Sequence, residues 1–174
     1  AAAFSEHFEV IGYDLNQSRI DELKNGFDKT LELSPKQMQN ALKQGIKFTD
    51  DIYDLKECTF FIISVPTPID KNKRPDLSCL QSASLSVAKV LKKGDIVVFE
   101  STVYPGVSEE FCAPLLQSCG LKFGIDFEIG YSPERINPGD KEHTVSKIKK
   151  IVSASSKGAL ERVSKVYAQI IKAG

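Results

Sequence analysis

The chain carries no excess of charge, its 23 Lys and Arg balancing 23 Asp and Glu. Without a field of one sign, nothing draws it to nucleic acid or to an anionic membrane. No apolar run reaches membrane-spanning length, and the longest, around Phe60 to Val65, suits a buried strand. Cysteine is sparse. Cys58, Cys79, Cys112 and Cys119 show no CxxC or CxxH spacing, and His7 and His143 stand alone. That pattern offers no zinc-type ligand set, so no metal is expected. Reduced thiols in a cytoplasmic protein are the expectation. The first residues, Ala1 to His7, lack the basic start and long apolar segment of a secretory signal, and they read as the last turns of a helix. There is no repeat, low-complexity tract or linker. A Gly-x-Gly-x-x-Gly turn, the usual opening of a dinucleotide site, is also absent.

What is present reads as one globular domain, with 26% charged and 41% hydrophobic residues over 174 positions. Phe8 to Asp14 forms a short strand ending in an acid. Asn16 or Ser18 caps the next helix, which Gly26 stops. Ser34-Pro35 opens a helix to about Lys43. Ile46 to Thr49 is a short strand, and Thr59 to Val65 is the clearest one, continuous in apolar residues and hence buried on both faces. Asp76 or Ser78 caps a helix running to about Lys92. Asp95 to Glu100 is another buried strand, Gly106 to Gln117 a helix, Phe127 to Tyr131 and Lys150 to Ser153 strands, and Gly158 to Lys172 an amphipathic helix. Such alternation predicts an α/β fold, a doubly wound and mainly parallel sheet.

Ligands of such sheets bind at the carboxyl ends of the strands. Asp14 lies there, and two roles fit it. One is acceptance of hydrogen bonds from the ribose hydroxyls of adenosine, with repulsion of a 2′-phosphate; the other is capping of the helix near Asn16. Arg19 either reaches over the adenine and its phosphates or sits on the surface. Ser64-Val-Pro-Thr-Pro68 is a loop stiffened by two prolines, with a Thr67 hydroxyl free to meet a ligand, or an ordinary rigid turn. In Glu100-Ser-Thr-Val-Tyr-Pro-Gly106, Thr102 either presents a hydroxyl near a helix amino terminus or caps that helix. Tyr131-Ser-Pro-Glu-Arg-Ile-Asn-Pro-Gly-Asp140 sets Glu134, suited to proton transfer, beside Arg135, suited to a phosphate or carboxylate. The other reading of this stretch is a shaped surface loop.

Taken in order, Val10-Ile-Gly-Tyr-Asp14, Ile20 to Gly26, Val65-Pro-Thr-Pro68, Glu100 to Gly106 and Ser132-Pro-Glu-Arg135 resemble the UDP-glucose/GDP-mannose dehydrogenase family. The likeness covers essentially the whole chain. Pro133-Glu-Arg-Ile-Asn-Pro-Gly139 resembles the branch acting on UDP-N-acetylhexosamines. The resemblance implies a Rossmann-like NAD-binding domain over 1–174 that lacks its first strand and glycine-rich turn. It also implies a central helix and a UDP-sugar domain, with the catalytic cysteine, elsewhere in a longer homodimeric enzyme. Two NAD-dependent oxidations would carry the sugar C6 alcohol to a carboxylate through a cysteine thioester. By the same resemblance, Asp14 and Arg19 bind the adenosine half of NAD, Val65, Pro66 and Thr67 line the cofactor, and Thr102 lies near the nicotinamide and the catalytic water. Glu134 assists thioester hydrolysis, while Arg135 and Asn137 hold the sugar nucleotide.

Overall fold

The computed structural model describes residues 1–69, 71–133, 149–171 and 173. A short 3-10 turn, Phe4–Glu6, precedes strand β1, Ile11–Tyr13. Helix α1, Gln17–Lys24, starts at Asn16, whose side chain accepts the Arg19 amide. Helix α2, Pro35–Lys43, carries a full capping box between Ser34 and Gln37, with proline in its first turn. The expected boundaries hold here because they rest on local hydrogen bonds. Strand β2, Lys47–Thr49, pairs parallel with β1.

The larger sheet is ordered β3-β4-β5-β6, with β3 at Phe60–Ile63, β4 at Ile96–Phe99, β5 at Glu128–Tyr131 and β6 at Ser153–Ala154. β3, β4 and β5 are parallel, whereas β6 is an antiparallel edge strand. Helix α3, Ser78–Ala88, ends sooner than Lys92, and its N-cap position is Leu77. Asp76 instead accepts the Ser78 amide at 2.9 Å, just outside the helix. The segment expected to be one helix from Gly106 is divided into a wide π-helix, Val107–Cys112, the short α4, Ala113–Leu116, and a 3-10 turn, Gln117–Cys119. Pro114 accounts for the break, since it has no N–H to donate to the Glu110 carbonyl one turn back. Helix α5, Lys157–Tyr167, is capped by Ser156.

Two cores flank the sheet. On one face Leu80, Cys112 and Leu116 pack on Phe61, Val97 and Phe99. On the other, Phe4, Val163 and Tyr167 pack on Ile96 and Val98. Helix α5 comes so close to β5 that a side chain on Gly130 would meet Val163 Cγ2 at 3.2 Å. One expectation fails in an informative way. β3 is not buried on both faces: Phe61 and Ile63 are buried, but Phe60 and Ile62 are only half-buried. The reason is a cavity of about 730 Å³ that separates β3 from β1, with Ile11, Tyr13, Phe60 and Ile62 in its walls.

Candidate dinucleotide site

Asp14 follows β1 directly, its amide donating to Thr49 O at 3.2 Å. Its carboxylate is exposed, and Oδ1 accepts the Asn16 amide at 2.8 Å. Asn16 in turn caps α1 through the Arg19 amide at 3.2 Å. Of the two roles open to Asp14, capping therefore falls to Asn16. Asp14 closes the turn ahead of the helix and keeps its carboxylate at the surface.

Arg19 is drawn inward. Its Nη2 lies 2.5 Å from Asp28 Oδ1 and its Nη1 3.7 Å from Glu22 Oε2. Asp28 is buried and also accepts the Thr30 hydroxyl at 2.7 Å and the Leu33 amide at 3.0 Å. Burial by itself would raise the Asp28 pKa. The hydrogen bonds from Thr30, Arg19 and Leu33 outweigh it and hold the carboxyl at about 2. Arg19 thus braces the loop after α1, a tie to Asp28 that the sequence reading missed. The only local signal was an acid following the helix-ending glycine.

The loops after β3 and β4 are stitched together. Ser101 Oγ donates to Val65 O at 2.6 Å, and Thr67 Oγ1 donates to Thr102 O at 2.6 Å. The Thr67 hydroxyl is therefore not free, as it was expected to be: its proton is committed to the neighbouring loop, and it meets a further ligand only as an acceptor. Pro66 and Thr102 are exposed, while Val65 and Thr67 are half-buried. Gly106 turns the second loop into the π-helix at φ +94°, where a side chain would also crowd the Glu110 carboxylate at 3.1 Å. The structure brings Val65, Pro66, Thr67 and Thr102 into one patch.

Behind that patch stands a cluster that sequence reasoning missed. Glu100 Oε1 accepts Lys150 Nζ at 2.8 Å and the Tyr167 hydroxyl at 2.8 Å. Lys150 Nζ also lies 5.6 Å from the centre of the Tyr167 ring. An acid closing an otherwise apolar buried strand was the one visible sign. Ser132, fully buried, donates to Ile151 O at 2.9 Å and ties the end of β5 to the chain before β6. Glu134, Arg135 and Asn137 lie outside the described residues.

Among the described residues no group of three His, Cys, Asp or Glu side chains could hold a metal ion. No described helix is long and apolar enough to cross a membrane. All four cysteines are free thiols. Burial pushes Cys58 upward and Cys112 to about 11, which opposes thiolate formation at both.

A βα unit whose strand ends in an exposed acid, and two stitched loops at the ends of parallel strands, define a dinucleotide-binding domain of the doubly wound class. The chain belongs to the UDP-glucose/GDP-mannose dehydrogenase family, whose NAD binding domain matches residues 1–171. It is 53% identical to a UDP-N-acetyl-D-glucosamine 6-dehydrogenase of Pseudomonas aeruginosa, over 100% of this chain and 41% of that protein. It is 50% identical to the protein CapL of Staphylococcus aureus, with the same coverage of both chains. The solved UDP-D-ManNAc dehydrogenase of Pyrococcus horikoshii superposes with a TM-score of 0.90 at 33% identity, over 99% of this chain and 42% of that one. The chain thus spans about two fifths of the length of these relatives.

Proposed function

We propose that the protein containing this chain oxidises the C6 alcohol of a UDP-N-acetylhexosamine to the uronic acid, with NAD as oxidant. The observation that carries this reading is the 53% identity to a UDP-N-acetyl-D-glucosamine 6-dehydrogenase over the whole chain. Residues 1–174 are its NAD-binding domain, and the cysteine chemistry and sugar-binding domain belong to the remainder of a longer, homodimeric enzyme. The uronic acid is a building block for surface polysaccharide made in the cytoplasm.

NAD, when bound, accepts the hydride released at C6. The residues of this chain hold and orient it. Asp14 accepts hydrogen bonds from the adenosine ribose, and its charge repels a 2′-phosphate; the exposed carboxylate after β1 fits that role. Arg19, braced by Asp28, is assigned to the adenosine half of NAD by the family resemblance. Val65, Pro66 and Thr67 line the cofactor on one side, and Thr102 orders the water on the other. Glu134 activates that water in hydrolysis of the thioester, while Arg135 and Asn137 hold the sugar nucleotide; these three roles rest on the family resemblance.

The test is the stoichiometry of NADH formed per UDP-N-acetylglucosamine consumed by the complete protein. About two NADH per sugar is expected for an alcohol taken to a carboxylate. Absence of NADH with that sugar and its galacto epimer would overturn the reading. The 33% identity to a UDP-D-ManNAc dehydrogenase favours a second substrate, so UDP-N-acetylmannosamine belongs in the same panel. In the complete protein, Asp14→Asn should raise the KM for NAD and relax discrimination against NADP. Unchanged preference would remove Asp14 from the site.

A further inference from the structure

Asp14 is tied to a cation. Its Oδ1 accepts the Asn16 amide at 2.8 Å, and Asn16 Oδ1 accepts the Arg19 amide at 3.2 Å. One residue thus links the acid after β1 to an arginine in the first turn of α1. An acid at such a strand end suits the free ribose hydroxyls of NAD, whereas an arginine nearby suits the 2′-phosphate of NADP. The chain carries both, so the position of the guanidinium decides which of the two is expressed.

Two carboxylates hold it inward. Arg19 Nη2 donates to Asp28 Oδ1 at 2.5 Å. Arg19 Nη1 and Glu22 Oε2 are both buried and face each other at 3.7 Å, beyond hydrogen-bond length. The Asp28 side chain is 3% exposed and cannot follow Arg19 outward, because its own loop fixes it. Oδ1 also accepts the Thr30 hydroxyl at 2.7 Å and the Thr30 amide at 3.2 Å, and Oδ2 accepts the Leu33 amide at 3.0 Å. Those bonds hold the carboxyl at about 2, so it is ionised at neutral pH. A pair so little exposed is also screened less than one formed with a phosphate in open solvent.

We infer that Asp28 is a specificity-determining residue: it withholds the Arg19 guanidinium from the ribose 2′ position and so excludes NADP. Asp14 and Asp28 then act by different means. Asp14 repels a 2′-phosphate directly, and Asp28 removes the one nearby cation that would compensate that repulsion. Asp28 acts only through Arg19, and Glu22 adds a smaller share because it is more exposed than Asp28 and also pairs with Lys29 at 3.5 Å. The inference rests on the adenosine half of NAD lying beside Asp14, and it is independent of which sugar the enzyme oxidises.

The test measures dissociation constants of NAD and NADP for the complete protein, without sugar, and follows their ratio. Asp14→Asn alone should shift the ratio towards NADP. Adding Asp28→Asn should shift it about tenfold further, and Arg19→Ala on top of both should cancel that further shift. The shift should also shrink at high salt. Glu22→Gln spares the Thr30 and Leu33 bonds and should give about threefold in the Asp14→Asn background; it replaces Asp28→Asn if that variant fails to fold. A merely structural Asp28 would weaken both nucleotides together and leave the ratio unchanged, which overturns the inference. So does a shift that survives Arg19→Ala. If Asp14→Asn alone leaves the ratio unchanged, the placement of the adenosine fails, and the inference falls with it.

Discussion

β3 and β4 are near-equivalent as sequence: Phe-Phe-Ile-Ile against Ile-Val-Val-Phe. Their surroundings differ. Every residue of β4 is at most 1% exposed, whereas alternate residues of β3 are half open. β4 has a parallel neighbour on each edge and a helical layer on each face; β3 has a neighbour on one edge and a cavity on the other. Burial of a strand is thus conferred by what lies beside it. A run of apolar residues states only what the strand can tolerate.

The comparison is broken most easily at its phenylalanines. Phe99→Ala should cost about 3–5 kcal/mol, since it opens a cavity within packed surroundings. Phe60→Ala should cost about 1–2 kcal/mol, for the smaller area removed from water. Urea unfolding of both variants measures the difference. Equal losses would mean that the β1 side of β3 is closed in solution.

The segment from α1 to Leu33, beside the β1–β2 pair in sequence, is held differently, by a polar network of Arg19, Thr30 and Leu33 around Asp28. The pH dependence follows from the sign of the Asp28 shift. Its carboxyl is held at about 2 in the fold against an ordinary 3.8, so its contribution is complete above about pH 4 and fades as the pH falls towards 2. Asp28→Asn should therefore lower stability by about 2 kcal/mol at pH 7 and by almost nothing at pH 2. A penalty that persists unchanged at pH 2 would assign the effect to packing instead. The smallest change expected is Asn16→Ala, about 1 kcal/mol from a lost cap. It should speed amide exchange in α1 while leaving β4 untouched; equal effects on both would show that the two halves unfold as one unit.

Much of the candidate site was legible in the chain. Asp14 stood after a strand, and the Pro-rich and Pro-Gly loops stood after two others, because turn chemistry is written in local residue types. The partners of those residues were not legible. Thr67 donates to Thr102 across 35 positions and Ser101 to Val65 across 36, and neither pair shows any periodicity. Glu100, Lys150 and Tyr167 converge from a strand end, a connection and a helix. The wide turn at Val107–Cys112 lay between these cases: Pro114 was visible, but an interior proline permits several distortions, and packing selects one.

The sequence by itself determined the class of the fold, the alternation of strand and helix, and the helix start at Ser34, and it narrowed the start of α1 to Asn16 or Ser18, each resting on interactions spanning a few residues. Only the tertiary structure decided that Arg19 braces Asp28, that β6 runs antiparallel, and that Phe60 and Ile62 of β3 are half-buried where Phe61 and Ile63 are buried. Those outcomes depend on which surfaces the folded chain brings side by side, and no local preference carries that information.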